Sequence, residues 1–479
     1  MSDAASRLGY GVPRDTSVVV NRTTKEYSFL HNEYQPGDIA TCTFPTGTDY
    51  IDTRRSFLSF ELNSVATADT VFSFGVHGSA CNIIKSIAIF SRSGEELCRT
   101  NEFNLLKNML LQFQYSRQWF QRQGSGMWYG SRIFNSPQTC VIPMYILSPL
   151  FAYGKLLPAA LVSGMRIEIT LESREHTTTG VFVAGAPPAL PASGTDYFTT
   201  EMKFNLETVK LGDHIRMAMD ELISTKGVEL VYLGWHHTFM EQDNGFTGTT
   251  STDITESCAR GLHAYARVRA LFNDEEEKKN KVQPDDKRDT LRGEHIFPIH
   301  SYQWRHGDRY YPDKALGTNG SRAIIKAMHH MLNAVNQFDG AREQSYASLL
   351  GDYNMSEITE DLLGGNLNAG TGVSFDYFFP VFPGKLGCYA RDGHVIGVDL
   401  TRDSDVQISG RPVNNTEPLM LTFTCNTTSS EESQESLTAI GVTPPRRIDV
   451  FLEYAKLVRV FTKDRKSTRL NSSHQIISY

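Results

Sequence analysis

The chain has 479 residues, 47 basic against 54 acidic side chains, a formal charge of −7, and 40% hydrophobic and 11% aromatic residues. This length suits two or three ordinary domains, or two large β domains of about 200 residues each, and the Gly- and Pro-containing composition is globular and β-leaning rather than coiled-coil or disordered. The slight acidic excess speaks against a chain whose main task is coating nucleic acid.

The first residues, MSDAASRLGYGVPRDTS, contain no apolar leader core, and no later run approaches the roughly 20 apolar residues that span a bilayer, so a soluble, non-secreted product is expected. Cys42, Cys81, Cys98, Cys140, Cys258, Cys388 and Cys425 are scattered, odd in number and never arranged as CxxC. They read as buried or half-buried free thiols rather than a disulfide framework or zinc site. The run Asp464 to Tyr479 reads as the in-frame translation of a common sequencing adapter, and residues 464–479 are excluded from fold reasoning. The native C-terminus beyond residue 463 is thus left open.

Residues 1–37 are polar and mixed and are expected to form an N-terminal arm rather than a core element. From residue 38 the texture changes to short alternating or apolar runs divided by Gly, Ser, Thr, Asn and Asp: Ile39 to Phe44, Phe57 to Leu62 with Leu58, Phe60 and Leu62 on one side, Val71 to Val76, and Ile83 to Phe90. Thr100 to Gln123 is expected as a helix, since Phe103, Leu106, Leu110 and Phe113 share a face, with Thr100 or Asn101 as N-cap and Gly124 as stop. Strands resume at Gln138 to Leu147 and at Met165 to Glu172, where Ile167, Ile169 and Leu171 alternate with Arg166, Glu168 and Thr170. A Pro/Ala loop, Gly185 to Gly194, and a strand, Glu201 to Lys210, complete the first half.

Asp213 to Thr225 reads as a short helix capped by Asp213 and closed by Gly227, marking the connection to a second half that repeats the first texture. Val228 to Phe239 and Ala264 to Phe272 alternate, and the charged run Asn273 to Asp289 reads as a solvated excursion between strands. Ser321 to Phe338 is a second helix by its Ile324, Ile325, Met328, Met331, Leu332 and Val335 stripe. Leu419 to Cys425 and the long terminal strand Ile448 to Phe461, with Ile448, Val450, Leu452 and Tyr454 on one face, end the fold. The pattern favours two successive antiparallel β sandwiches or barrels of about 175 and 240 residues, at 38–212 and 213–463, each interrupted by a helix-bearing loop. The duplication rests on rhythm, because identity between the halves is too weak to mark a repeat.

Searches for chemistry return little. GxGxxG after a strand, GxxxxGK[ST], HExxH and GxSxG are all absent. His236-His237 lies on a strand, where neighbours point to opposite faces, and His329-His330 on a helix sits about 100° apart, so neither pair suits a shared ion. Glu168 and Glu172, about 13 Å apart on a strand, fit neither glycosidase spacing. The segment His300 to Tyr311, HSYQWRHGDRYY, could form a base-stacking platform, but it works without help as structure. Tyr302, Trp304 and Tyr310 supply contact area, Arg305 and Arg309 can pair with acids, and Gly307 makes a tight turn. No catalytic, cofactor-binding or metal residue is assigned.

Four segments together resemble a known family. They are Thr48-Asp49-Tyr50-Ile51-Asp52-Thr53-Arg54 leading into Phe57 to Leu62; Leu156-Leu157-Pro158 with Gly164 to Ile169; Ser301 to Arg305 with Tyr310-Tyr311-Pro312; and Val450 to Tyr454. Their order over about 410 residues resembles the double jelly-roll major capsid proteins of the polinton-like virus, adintovirus and virophage lineage. The Pro/Ala loop, Trp235-His236-His237 and the 273–289 loop depart from that pattern.

The resemblance implies an all-β fold with short helices in loops, built as two consecutive eight-stranded antiparallel jelly rolls. It implies a non-enzymatic virion protein whose homotrimers form pseudo-hexagonal capsomers tiling an icosahedral shell of a double-stranded DNA virus. The implied partners are the chain itself, neighbouring capsomers, and penton and minor capsid proteins, without cofactors or sequence-specific nucleic-acid binding. The arm would bind adjacent capsomers or minor proteins on the inner capsid face. A carbohydrate-active or carbohydrate-binding β-sandwich protein is the alternative. Host, capsid size, an internal membrane and the outward-facing loops are not fixed by the sequence.

Overall fold

The computed structural model describes, apart from scattered single positions, residues 19–64, 72–73, 79–128, 133–134, 137–173, 197–242, 248–254, 257–270, 299–317, 326–331, 334, 395–402, 409–425, 446–460 and 475–476. In the first half the main strands are β1 (Val19–Ser28), β2 (Ile39–Thr43), β3 (Tyr50–Ser64), β4 (Ile84–Phe90), β5 (Glu96–Thr100), β6 (Gln138–Pro143), β7 (Arg166–Leu171) and β8 (Tyr197–Leu211). In the second they are β9 (Val228–Gln242), β10 (Gly248–Ile254), β11 (Cys258–Ala270), β12 (Ile299–His306), β13 (Arg309–Gly317), β14 (Ile396–Asp399), β15 (Leu419–Cys425) and β16 (Arg446–Val460). Helix α1 (Phe103–Gln114) lies in the first half, and α2 (Asp213–Thr225) joins the halves.

The principal sheets run β1-β8-β3-β6, β2-β7-β4-β5, β9-β16-β11-β14 and β10-β15-β12-β13. Adding eight to each label of the first half gives the second, so the duplication read from rhythm is a duplication of topology. Each half is an eight-stranded jelly roll, its first strand beside its last and its second beside its seventh. All these pairings are antiparallel, and short connections join facing sheets at 44–49 and 255–257, so successive strands reverse direction. In each half the connections 65–83, 101–137 and 172–196, or 271–298, 318–395 and 426–445, therefore leave from one end. The opposite end carries the 91–95 connection in the first half and the two-residue 307–308 turn in the second, where Gly307 adopts φ 57°.

The alternating runs form strands because burying one face satisfies the period of two. Leu58, Phe60 and Leu62 of β3 are buried between partly exposed neighbours, and Ile167, Ile169 and Leu171 of β7 are buried while Arg166 is exposed. In β16 both faces are covered. Ile448, Val450 and Leu452 enter the second core and Phe451 enters a separate cluster, while Val458 and Val460 reach into the first core. Two glycines flank Tyr454 in register, Gly234 on β9 and Gly261 on β11; a Cβ on Gly234 would sit 2.7 Å from the Tyr454 ring.

Several expectations are corrected. Residues 19–28, expected within the arm, form β1, the outer strand of the first sheet, and Glu33–Tyr34 pairs with β8. An edge strand with one ladder partner keeps a polar sequence, and all but Val19 and Tyr27 of β1 are exposed, so it read as an arm. Arg22 and Lys25 of β1 reach Asp52 at 3.0 Å and Asp49 at 2.8 Å, which gives the Asp49 to Arg54 motif a structural task. The helix expected over Thr100 to Gln123 breaks at Tyr115 into α1 and a short helix, Arg117–Arg122. Glu102, with φ 47° and no side-chain cap, precedes α1 in place of Thr100 or Asn101. Thr100 instead ends β5, a strand not anticipated at Glu96–Thr100. Strand Gln138 to Leu147 ends at Pro143, and Met144–Leu147 turns into a helix. Asp213 is the first residue of α2 rather than its cap.

The described helical positions Lys326, Ala327, His329, His330, Met331 and Ala334 agree with the second expected helix. The loops 185–194 and 273–289 lie outside the described residues. In the terminal run excluded from fold reasoning, Gln475–Ile476 pairs with Val458 and Arg459, where β16 extends beyond its last pairing with β11.

Candidate interface surfaces and the junction between the halves

The residues weighed for chemistry serve structure. Tyr302 and Trp304 are buried in the second core, while Tyr310 is half exposed and not part of it. Arg305 pairs with no acid among the described residues: its Nε donates to the Gly307 carbonyl at 2.8 Å and its guanidinium lies over the Tyr310 ring at 5.7 Å. Glu168 is bridged to Arg166 at 3.1 Å, and buried Glu172 accepts from Asn104 Nδ2 of α1 at 2.7 Å, so the two carboxylates do not share a cleft. His237 lies beside Asp449 on one face of the β9 sheet, and His236 alternates to the other. Among the described residues no group of three His, Cys, Asp or Glu could hold a metal ion. Cys42, Cys81, Cys98, Cys140 and Cys258 are free and buried, and burial pushes the thiols of Cys81 and Cys42 up to about 11 and about 12. Such thiols are poor nucleophiles.

The feature that sequence reading missed is the junction. Leu105, Leu106, Met109 and Leu110 of α1, all buried, pack on Tyr265 of β11 and Phe451 of β16, joined by Met331, Ala334 and Val395. A helix of the first jelly roll therefore covers the outer face of the second jelly roll's sheet. In return, Leu230 and Tyr232 of β9 with Val458 and Val460 of β16 enter the core of the first, where the Tyr232 hydroxyl donates to the Leu97 carbonyl. Ile223 of α2 joins this core, while Ile215 and Met219, two turns and one turn earlier, pack on Tyr50, Val209 and Leu211.

A polar layer rims the apolar junction on the same sheet face. Asp449 Oδ1 accepts from Arg447 Nε at 3.0 Å and lies 2.8 Å from His237 Nε2. Arg447 also reaches Glu102, beside the start of α1, at 3.6 Å and stacks 3.8 Å from the Phe239 ring centroid. Glu453 Oε2 lies 2.7 Å from His263 Nδ1, and Asp399 lies 3.7 Å from Nε2 of the same ring. Burial works to lower the His263 pKa, but the Glu453 hydrogen bond and charge, with Asp399, leave it raised above the ordinary value. Lys107 of α1 is pushed down to about 8 by burial, against the opposing charge of Glu453.

Large apolar side chains remain exposed at Val20, Leu30 and Ile39 near the first-half edge, at Met217 and Leu222 on α2, and at Phe239. With the half-exposed Tyr310, these are described positions suited to contacts with further chains. No helix among the described residues is long and apolar enough to cross a membrane.

No family model matches the chain, and no curated protein matches it. Solved structures do. The chain is similar to the protein in a quasi-atomic model of the PBCV-1 virus capsid, with TM-score 0.57 and 9% identity over 92% of this chain and 95% of that one. It is similar to a chain in the cryo-EM structure of the Sputnik virophage, with TM-score 0.54 and 11% identity over 98% of this chain and 92% of that one. The Faustovirus major capsid protein aligns with TM-score 0.50 and 7% identity over 95% and 94% of the two chains. The strand order, repeated in both halves, and alignments that span both explain one another: the chain has the all-β double jelly-roll fold of the viral major capsid proteins to which it is similar.

Proposed function

We propose that the protein is a viral major capsid protein, a non-enzymatic component of the virion. The observation that carries this reading is the paired topology, two jelly rolls of identical strand order locked by a buried junction, together with similarity to capsid proteins over nine-tenths of the chain. A rigid pair of similar barrels is a natural third of a six-barrel tile, so three copies around one axis form a pseudo-hexagonal capsomer, and such tiles build an icosahedral shell. Neighbouring capsomers, penton and minor capsid proteins are the partners this role requires. The polar sequence before β1, residues 1–18, takes over the arm's proposed task of binding them, since β1 itself belongs to the sheet.

Light scattering on the purified chain tests the proposal. A stable species of three chain masses, at 53.7 kDa each, that assembles into closed particles supports it. A monomer that cleaves or binds members of a glycan panel, and forms no particles, refutes it in favour of the carbohydrate-active β sandwich.

A further inference from the structure

The short-connection end of the second jelly roll carries an arginine-lined cleft. Its volume is about 610 Å³, and Arg305, Arg309, Arg402 and Arg411 line it together with Asp308 and Glu417. Arg309 and Arg411 also wall an adjoining cleft of about 490 Å³. The walls are held in place. His306 Nε2 lies 2.7 Å from the Pro412 carbonyl, the Gly307 amide donates to the Pro418 carbonyl at 3.2 Å, and the Arg411 guanidinium rests over the Tyr311 ring at 5.7 Å.

Among the described residues, Arg309, Arg402 and Arg411 form no ion pair, and Arg411 Nε is buried without an acceptor. Acids stand nearby yet leave these guanidiniums unpaired. A buried donor without a partner is costly, and like charges gathered on a fixed frame repel, so the arrangement is poised for an incoming anion. Four guanidiniums against two carboxylates leave an excess of two positive charges among these groups. A ligand with a single carboxylate neutralises only half of that, whereas clustered phosphates neutralise it and match the guanidinium fork in bidentate pairs. The chain's net charge of −7 argues against a long nucleic acid as the occupant.

We propose that this cleft binds a compact polyanion with clustered phosphate groups, held by Arg309, Arg402 and Arg411. The same chemistry occurs in free polyphosphates and in bisphosphorylated lipid headgroups. Calorimetric titration of the full chain with sodium tripolyphosphate, alongside co-sedimentation with phosphatidylcholine vesicles with and without phosphatidylinositol bisphosphate, tests it and separates the two sources. One saturable site is expected, weakened about tenfold by R309Q or by R402Q, both at exposed positions away from the core. Vesicle binding that tripolyphosphate displaces points to the headgroup, and tripolyphosphate binding without vesicle binding points to the free polyanion. Absence of binding in both arms, affinity unchanged in both variants of unaltered melting temperature, or tighter binding to a short DNA duplex than to tripolyphosphate overturns the proposal.

Discussion

Asp449 is the residue through which the junction's polar layer can be tested. It is fully buried, and one oxygen, Oδ1, serves both His237 at 2.8 Å and Arg447 at 3.0 Å. Replacing it with Ala removes these two contacts and leaves the Arg447 charge, whose side chain is only 15% exposed, to the more distant Glu102 at 3.6 Å. Two hydrogen bonds to a charged group, at about 1.5–3 kcal/mol each, agree with the cost of about 3–5 kcal/mol for breaking a buried ion pair from one side. For a cooperative unit the size of the second half this lowers Tm by about 6–20 °C. Asp449→Asn keeps an oxygen in place and loses only the charge, so about half that shift is expected, because neutral hydrogen bonds are about half as strong as charge-assisted ones. Scanning calorimetry of wild type and both variants at pH 7 measures the shifts. An Ala variant melting within about 2 °C of wild type, or an Asn variant as damaged as the Ala variant, would refute the reasoning.

His263 makes stability pH-dependent. Its folded pKa is raised, so its contribution is fully present below about pH 6.5 and fades as pH climbs through the folded value. Glu453→Gln should flatten that decline in urea midpoints measured from pH 5.5 to 9. Lys107 has the opposite sign. With a folded pKa of about 8 against an ordinary value of 10.5, the unfolded chain holds more protons between these pH values, and stability rises with pH across that window. Lys107→Met should abolish the rise and raise Tm at pH 7, and a melting temperature lowered at both ends would show that the ammonium is needed. Deleting residues 1–18, which leaves β1 intact, should give soluble trimers that fail to close shells under electron microscopy; normal shells would remove the arm from the assembly scheme.

The amino-acid sequence determined the fold class and the order of most elements, because those signals are local. Strand β7 is legible as alternation within its own six residues, and α2 as a polar helix between two strands. The two-fold rhythm was legible for the same reason, since each jelly roll repeats short strands and turns. Strand β1 escaped because a polar edge strand gains its partner, β8, nearly two hundred positions away, and nothing in residues 19–28 records that pairing. The break at Tyr115 and the helical turn at Met144–Leu147 were set by what those residues pack against rather than by their own periodicity.

The tertiary structure alone decided the junction and the arginine cleft. Glu102 and Lys107 in one half, and Arg447, Asp449 and Glu453 in the other, are ordinary charged residues when read in sequence. They become one buried layer only when α1 is laid on the β9 sheet. Likewise Arg309, Arg402 and Arg411 lie in separate segments and meet because a two-residue turn returns beside the β14–β15 connection. Periodicity reports which face of an element is buried, but not what covers it. The covering partner is fixed by long-range packing, and both the rigidity of the paired barrels and the placement of their charges follow from it.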